Sequence, residues 1–398
     1  MIVITDKNKC SGCGACVQIC PKNCISFHSD NEGFLYPFVD IKECIDCNLC
    51  VKVCQYQSNS DIQTDTTKPL NVYAAFNKDN TIRNESSSGG VFTLLAEHIL
   101  DKAGYVFGAA FDDDWSVKHI SINKKEDLYR LRGSKYVQSR TENTYKEVLS
   151  YIKENKWVLY SGTPCQVLGL KRFLKKDYPK LVTVDVVCHG VPSPLVWKRY
   201  LNEVTGNKHI KNITFRNKQY GWRNFSLNIK TTSNIFTFPM EDNTSPYMKG
   251  FLKDLYLRPS CYNCIAKNFK SNSDISIADY WWIQNVDPEM DDNKGCSQIF
   301  INTHKGQDIF DSLNIYKKET YSDSDIRDAY IFSGAVSHSA TYNKRRNRFF
   351  KDFNNKNLNS LITKLTKPTL KEYMYMKIRD IGRKNAKLLN IYKRLIKS

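Results

Sequence analysis

Residues 10–21 read CSGCGACVQICP, and residues 44–54 read CIDCNLCVKVC. Each stretch places four cysteines at the spacing C-x2-C-x2-C-x3-C. At this spacing three thiolates surround one [4Fe–4S] cluster, and the fourth cysteine reaches the cluster of the other stretch. The sequence therefore predicts two clusters. The predicted ligands are Cys10, Cys13, Cys16 and Cys54 for the first cluster and Cys44, Cys47, Cys50 and Cys20 for the second.

Zinc and disulfide bonds are the alternative explanations of these cysteines. Structural zinc sites usually combine two separated cysteine pairs, often with histidine, and no histidine lies within either stretch. Disulfide frameworks are typical of secreted chains, and residues 1–6 lack the basic and apolar segments of a signal peptide. Cys24 is expected to pack rather than to bind iron. The region resembles the bacterial two-cluster ferredoxins, with Gln55 where their second motif has proline.

The length and composition limit the kinds of domain that the rest of the chain can form. The chain has 398 residues, so about 340 remain for one large or two ordinary domains. No apolar run approaches the roughly 18 residues of a transmembrane helix. Because clusters are assembled and thiols stay reduced in the cytoplasm, we expect a cytoplasmic protein. The ferredoxin-like domain is predicted at 1–57 and a polar linker at 58–70.

After the linker, strand-like and helical patterns alternate, which favours an α/β body. We divide this body into parts at 71–150 and 151–340. Predicted strands lie at 72–76, 105–111, 117–122, 157–161, 181–187, 213–215, 225–229, 235–238, 275–278 and 298–302, and predicted helices at 90–102, 167–176 and 195–204.

The segment 341–398 is predicted to be a basic, partly helical tail. It has 17 Lys or Arg against three acids, which is +14 of the net charge of +18. Leu370, Met374, Ile378 and Ile381 form an apolar stripe at helical spacing. Such a helix binds an anionic membrane surface or an acidic partner, or it is a solvated surface helix packed on the body. No nucleic-acid-binding motif accompanies the charge, which disfavours RNA or DNA as the partner.

Four further cysteines lie in loops of the body. Cys165 is expected between a strand and a helix, and Cys188 follows the next strand. Neighbouring parallel strands would bring these two together, and a hairpin-like pair, Cys261 and Cys264, would complete a third cluster site. The alternative is buried thiols plus one zinc-like pair. Cys296, in a stretch of small residues, is expected to pack.

Several stretches resemble the coenzyme F420 hydrogenase/dehydrogenase beta-subunit family over about residues 71–335. They read SSSGGVFTLLAEHIL, RGSKYVQS, YSGTPCQVLGLKRFL, VDVVCHGVPSP, RPSCYNC and SDISIADYWW. The resemblance implies an iron–sulfur flavoprotein that binds FAD and exchanges electrons with a small redox partner. It also implies that Cys165, Cys188, Cys261 and Cys264 are cluster ligands. The expected fold is mixed, α+β or α/β: a two-[4Fe–4S] module, an α/β flavin- and cluster-binding body and a helical tail.

The resemblance makes some polar residues candidates for flavin binding or catalysis. Hydroxyls and free N–H groups at the start of a helix hold pyrophosphate, so the loop before a predicted helix is one candidate for the flavin site. The alternative is that Ser88 is simply the cap of that helix. The candidate cofactor-binding residues are Ser88, Gly89, Gly90, Arg132, Ser134 and Lys135. The candidate catalytic residues are His189, Lys135 and Asp279. The alternative for Lys135 is a turn with solvated charges, and the alternative for Asp279 is a helix cap. The alternative for His189 is a hydrogen bond near the cluster.

Three functions remain open from the sequence. The first is an oxidoreductase that takes electrons from ferredoxin or another low-potential carrier and delivers them through clusters and FAD to a small organic acceptor. Candidate acceptors are coenzyme F420 and a substrate of bacterial surface-polysaccharide synthesis. The second is a non-catalytic electron-transfer subunit that docks to a partner enzyme. The third is a transferase or hydrolase with Cys165 as nucleophile and His189 as base.

Overall fold

The computed structural model describes residues 1–57, 69–240, 245–321 and 334–368. Its strands are β1 (Ile25–Ser29), β2 (Leu35–Val39), β3 (Asn71–Asn77), β4 (Tyr105–Phe111), β5 (Val117–Ile122), β6 (Val158–Gly162), β7 (Leu181–Val186), β8 (Ile210–Asn217), β9 (Ser226–Thr231), β10 (Ile235–Pro239), β11 (Ile275–Asp279), β12 (Ser297–Ile301) and β13 (Ile315–Tyr321). Its α-helices are α1 (Ala15–Ile19), α2 (Leu49–Lys52), α3 (Asn80–Glu85), α4 (Val91–Leu100), α5 (Leu128–Leu131), α6 (Thr144–Lys153), α7 (Pro164–Leu174), α8 (Pro194–Thr205), α9 (Pro246–Leu252), α10 (His304–Asp311), α11 (Gly334–Ser337), α12 (Arg346–Asp352) and α13 (Leu358–Thr366). No helix in these described ranges has the length and apolar character needed to cross a bilayer.

The N-terminal module consists of the β1–β2 hairpin and two short helices, each of which starts within a cysteine motif. The hairpin is closed by Asp30, whose carboxylate accepts hydrogen bonds from the backbone N–H groups of Glu32 and Phe34 at 3.0 and 2.9 Å. Gly33 adopts φ +84° at the hairpin tip, where a Cβ atom would lie 2.3 Å from that of Leu195. The tip therefore docks closely on α8 of the body.

The body is built on one eight-stranded mixed sheet with the order β13-β3-β12-β11-β7-β6-β4-β5. Strands β4, β6, β7 and β11 are parallel neighbours, and β3 has the same direction because β12 is antiparallel to both β11 and β3. The carboxyl ends of these five strands thus share one edge. In sheets of this type ligands bind outside that edge.

Helices cover both faces of the large sheet. Helices α4 and α10 pack on one face, and α6 and α7 pack on the other. Ala15 and Val53 of the N-terminal module join the core beneath α6 and α7. The large sheet contains strands from both predicted parts of the body, 71–150 and 151–340. The side chains of these strands are buried in the same cores.

A second, smaller sheet has the order β10-β9-β8 and packs with α8, α9, α12 and α13 around a separate aromatic-rich core. Phe349, Leu358 and Ile362 are fully buried there. Residues 346–366 of the predicted tail are therefore part of the body. The apolar stripe at 370–381 and most of the predicted linker at 58–70 lie outside the described residues.

All predicted strands and helices of the body occur, with ends shifted by a few residues. Among the elements that the sequence reasoning missed are α6, α9, α10 and β13. In α6 the buried residues Thr144, Tyr145, Val148 and Ile152 follow helical spacing, but two of them are polar or amphipathic. The apolar periodicity was therefore too weak to indicate a helix.

Candidate iron–sulfur and cofactor sites

The first thiol quartet comprises Cys10, Cys13, Cys16 and Cys54, which line one pocket of the N-terminal module. Gly12 and Gly14 turn the loop with φ +69° and +82°. Burial raises the pKa of Cys13 to about 11, and the neighbouring thiols Cys10 and Cys54 raise it further. The structure thus brings together the set that the spacing predicts.

The second thiol quartet comprises Cys20, Cys44, Cys47 and Cys50, which line another pocket. Cys47 is exposed, whereas Cys20 and Cys50 are buried. Cys24 packs against the apolar cluster of the module, as the sequence analysis expects, and it also lines this pocket with its Sγ 3.4 Å from the Sγ of Cys20. A fifth thiol therefore lies beside the quartet.

The third thiol quartet comprises Cys165, Cys188, Cys261 and Cys264, at the carboxyl edge of the large sheet. Cys165 lies in the first turn of α7, which Thr163 and Gln166 cap reciprocally. Cys188 follows β7, the parallel neighbour of β6. Cys261 and Cys264 lie in and just after a 3-10 helix, Pro259–Asn263, so the expected hairpin-like pair is wrong.

Burial disfavours the charged form of the thiols in the third quartet. Burial raises the pKa of Cys165 well above its usual value, and the thiols of Cys264, Cys188 and Cys261 raise it further. Burial also raises the pKa of Cys188 to about 11 and that of Cys261 to about 12. These shifts oppose the thiolate that a nucleophile needs. His189, the supposed base, has its Nε2 2.6 Å from Asp254 Oδ1.

The donor chemistry of all three quartets fits [4Fe–4S] clusters. Each quartet combines four soft thiols on neighbouring loops, where thiolates without a metal would repel one another. Bound iron would compensate that charge when ligation removes the thiol protons. No three His, Cys, Asp or Glu side chains of the described ranges converge on a point that would hold a single metal ion.

The first and third quartets are neighbours across the interface between the module and the body. Gln55, next to Cys54, donates a 2.6 Å hydrogen bond to the carbonyl of Cys165. A Cβ atom on Gly169 of α7 would lie 3.1 Å from the Sγ of Cys13. The guanidinium of Arg258 donates to Cys10 Sγ at 3.4 Å, and its charge reaches Cys261.

The candidate flavin loop follows β3 and α3 at the same edge of the sheet. The hydroxyl of Ser88 donates to the carbonyl of Cys296 at 2.8 Å, and Gly89 N donates to Ser297 Oγ at 3.0 Å. The helix cap is Gly90 at φ +79°, so the alternative of Ser88 as the cap is wrong. Beside the loop, the buried Asn77 Nδ2 has no partner among the described residues. That free donor fits a polar ligand at this place.

The second candidate loop is joined to the first, because Ser134 N donates to the hydroxyl of Ser87 at 2.7 Å. Arg132 forms an ion pair with Glu85 and donates to Thr93 Oγ1. Lys135 caps the carbonyls of Leu131, Arg132 and Gly133 at 3.1–3.3 Å, and burial lowers its pKa to about 7.

Asp279 ends β11 at the same edge and is neither a free carboxylate nor a helix cap. It binds the buried Arg216, whose Nη1 lies 2.8 Å from Asp279 Oδ2 and 3.0 Å from the hydroxyl of Tyr136. Arg216 also lies 4.0 Å from the ring centroid of Phe225 and 5.1 Å from that of Trp281. Trp281 in turn stacks on Trp222 at 4.6 Å. Tyr136, two residues after Ser134, joins this aromatic group through its hydrogen bond with Arg216.

Other functional candidates escaped the sequence reasoning. The buried His119 contacts Ser139 Oγ at 2.7 Å and the carbonyl of Ser161 at 3.0 Å, and burial lowers its pKa to about 4. Lys267 donates to the carbonyl of Cys188 at 2.6 Å, and its charge lowers the pKa of that thiol. Neither residue lies in a motif with a recognisable spacing.

Three stretches of the chain match the models of known protein families. Residues 72–145 match the N-terminal region of the coenzyme F420 hydrogenase/dehydrogenase beta subunit, and residues 155–325 match the C-terminal region of the same protein. Residues 9–58 match a 4Fe-4S dicluster domain.

Individual relatives are distant. The coenzyme F420-dependent sulfite reductase of Methanocaldococcus jannaschii is 26% identical over 202 residues, which are 50% of this chain and 30% of that protein. One of the subunits of the F(420)H(2) dehydrogenase of Methanosarcina mazei is 23% identical over 184 residues, which are 44% and 51%. An uncharacterized protein of M. jannaschii is 27% identical over 200 residues, which are 44% and 55%. The chain therefore spans about half or less of the length of these relatives.

Among solved structures, a chain of the F420-reducing [NiFe] hydrogenase complex from Methanosarcina barkeri aligns with a TM-score of 0.45 and 19% identity. The alignment covers 63% of this chain and 82% of that one.

Proposed function

Because the chain belongs to the coenzyme F420 hydrogenase/dehydrogenase beta-subunit family, we propose that it is an iron–sulfur flavoprotein that carries electrons between a protein donor and an organic acceptor. The observation that carries this proposal is the third thiol quartet. It lies at the carboxyl edge of the large sheet, next to the first quartet and on the same edge as the candidate flavin loop that follows β3.

In this proposal the three quartets hold three [4Fe–4S] clusters in series. Bound clusters would supply single-electron transfer, and bound FAD would exchange single electrons for pairs. The protein fixes the distances through buried contacts between the module and the body. Gln55 and Gly169 hold the first quartet against α7, which carries Cys165.

The donor is proposed to be ferredoxin or another low-potential carrier that docks at the second quartet. This quartet is the outer one of the module, with Cys47 exposed. Met1 and Ile45 line its pocket and are exposed to 39% and 59%. Such an apolar rim suits a transient protein contact.

FAD is proposed to bind beside the loops at Ser87–Gly90 and Ser134–Lys135. The free amide donor of Asn77 suits its phosphates, and the aromatic side chains of Tyr136 and Trp281 around the Arg216–Asp279 pair suit a flat ring. Coenzyme F420 is one proposed acceptor, since relatives of this chain are named for it. A substrate of surface-polysaccharide synthesis is the other.

The test is anaerobic purification followed by reduction and an acceptor screen. We expect flavin bands over a brown cluster absorption, and reoxidation of the reduced protein by F420, nicotinamides or quinones. The variant Cys165→Ala should lose reoxidation by the acceptor, and the control Cys296→Ala should keep it, because Cys296 packs in an apolar cluster apart from the quartets. A brown protein without flavin or acceptor turnover would instead identify a simple electron carrier.

A further inference from the structure

We propose that Arg258 is the counter-charge of the first quartet, a positioning residue that raises the reduction potential of the first cluster. This inference rests on the proposed function, because it requires a cluster in that quartet.

The side chain of Arg258 is completely buried, at 0% exposure. Its guanidinium donates to the carbonyl of Cys10 at 2.7 Å, to Cys10 Sγ at 3.4 Å and to the carbonyl of Leu35 at 2.9 Å. A fourth hydrogen bond, 3.0 Å long, runs to Gln138 Oε1. The planar fork thus holds both the cysteine loop and the hairpin of the module.

None of the hydrogen bonds that this guanidinium makes with the described residues ends on a carboxylate. A buried cation without a counter-ion is strongly unfavourable, so an anion must lie close to it. The candidate in direct contact is the thiolate of Cys10, whose Sγ lies 3.4 Å from the guanidinium. A thiolate-ligated cluster supplies the missing negative charge.

The position is shaped for arginine. Its guanidinium carbon lies 4.4 Å from the ring centroid of Tyr36 and 5.6 Å from that of Phe34. Gly12 leaves the space open, because a Cβ atom there would lie 2.8 Å from Arg258 Nη1. Lysine carries the same charge but cannot form the fork or stack in the same way. The site therefore fixes the place of the charge as well as its sign.

The chemical consequence follows from charge. Each reduction adds one negative charge to a cluster, and a fixed cation nearby favours the reduced form. A cation within about 4–6 Å shifts a carboxyl equilibrium by roughly 1–3 pKa units. We therefore expect Arg258 to shift the one-electron equilibrium of the first cluster by about tenfold or more, which is about 59 mV for a one-electron couple. The second quartet, on the outer side of the module, should feel little of this charge.

The test is an EPR-monitored redox titration of the reconstituted full chain. The variants are Arg258→Gln and Arg258→Lys, and the control is Arg199→Gln. Arg199 also donates to a backbone carbonyl, that of Lys356, and lies 4.8 Å from the ring of Phe353, but it is paired with Glu203 and lies outside the cysteine loops. It therefore controls for the loss of a structural arginine that is not next to a quartet. We expect Arg258→Gln to lower the potential of the first cluster by about 59 mV or more, which is a tenfold or larger change in its one-electron equilibrium, and to change the potential of the second cluster little.

The outcomes separate this inference from the proposed function. Wild-type protein without cluster signals would contradict the proposed function itself. Normal signals with unchanged potentials in Arg258→Gln would overturn the role of Arg258 alone. If Arg258→Gln does not fold, Arg258→Lys decides: its ammonium keeps the charge, so the potential of the first cluster should stay within about 59 mV of the wild type, which is less than a tenfold change. A fall as large as the one expected for loss of the charge would contradict the inference.

Discussion

Loss of the Arg346–Glu32 pair should release the tip of the N-terminal hairpin from the body. Arg346 is 5% exposed and binds both carboxylate oxygens of Glu32, one of them at 2.8 Å from Nη1. Arg346 also donates to the carbonyl of Leu257, and Ser193 donates to the carbonyl of Glu32. The substitution Arg346→Met removes the cation and leaves the Glu32 carboxylate unpaired.

The magnitude follows from burial. Removing one partner of a fully buried pair costs about 3–5 kcal/mol. Since the Glu32 side chain is 20% exposed, water compensates in part, and we expect about 2–3 kcal/mol. The opening equilibrium of the hairpin tip should rise about 30- to 150-fold, because every 1.4 kcal/mol is tenfold.

Hydrogen exchange of the peptides that span residues 25–39, followed by mass spectrometry, measures this opening. A double-mutant cycle with Glu32→Gln isolates the pair, and the exposed pair of Lys125 and Asp101 serves as control, with about 0–1 kcal/mol expected. A coupling below about 0.5 kcal/mol for Arg346 and Glu32 would refute the reasoning.

Three further changes probe the packing and charge of the body. Gly169→Ala should lower the free energy of unfolding by about 1–3 kcal/mol and lower the iron content, because its Cβ would press on Cys13 and on the hydroxyl of Tyr145, each at 2.9 Å. Iron analysis and thermal unfolding measure these effects, and full iron at wild-type stability would be the contrary result. Cys296→Ser should keep all iron but lose about 1–3 kcal/mol of stability, since a hydroxyl replaces a thiol that is 1% exposed; loss of iron would mean that Cys296 is a ligand after all. Burial lowers the pKa of His119 to about 4 in the folded protein, whereas in the unfolded chain this side chain binds a proton as the pH falls below about 6.5. The free energy of unfolding should therefore fall by up to about 1.4 kcal/mol per pH unit between 6.5 and 4. His119→Gln should lose that part of the slope in denaturant unfolding, and an unchanged slope would show that His119 does not titrate in this way.

The cysteine sites were predictable where the signal is local. The spacing of Cys10, Cys13 and Cys16 and its repeat at 44–54 identify two quartets without any knowledge of the fold. The third quartet needed one topological step, namely that β6 and β7 are parallel neighbours. The step held because a strand, a helix and a second strand in sequence usually form such a pair.

The residues that join the parts were not predictable. Arg258 and Cys10 are 248 positions apart, and Arg346 and Glu32 are 314 apart. An arginine that binds backbone carbonyls leaves no periodic pattern in the sequence. Asp279 was found by its place at a strand end, but its partner Arg216 lies 63 positions away in the smaller sheet.

Local backbone geometry explains the remaining errors. The loop before α4 ends on Gly90 in the left-handed region, where glycine has no steric cost, and this leaves the serine hydroxyls for contacts with β12. Pro259 starts a 3-10 turn at the third quartet, where the short spacing between Cys261 and Cys264 alone equally allows a hairpin.

Iron and sulfide analysis with Mössbauer spectroscopy, on protein reconstituted without oxygen, tests the series of three clusters most directly. Three quartets predict about twelve iron ions per chain, and the double variant Cys261→Ala/Cys264→Ala should fall to about eight with the two N-terminal clusters intact. About eight iron ions in both proteins would contradict the third cluster, and with it the electron path from the module into the body.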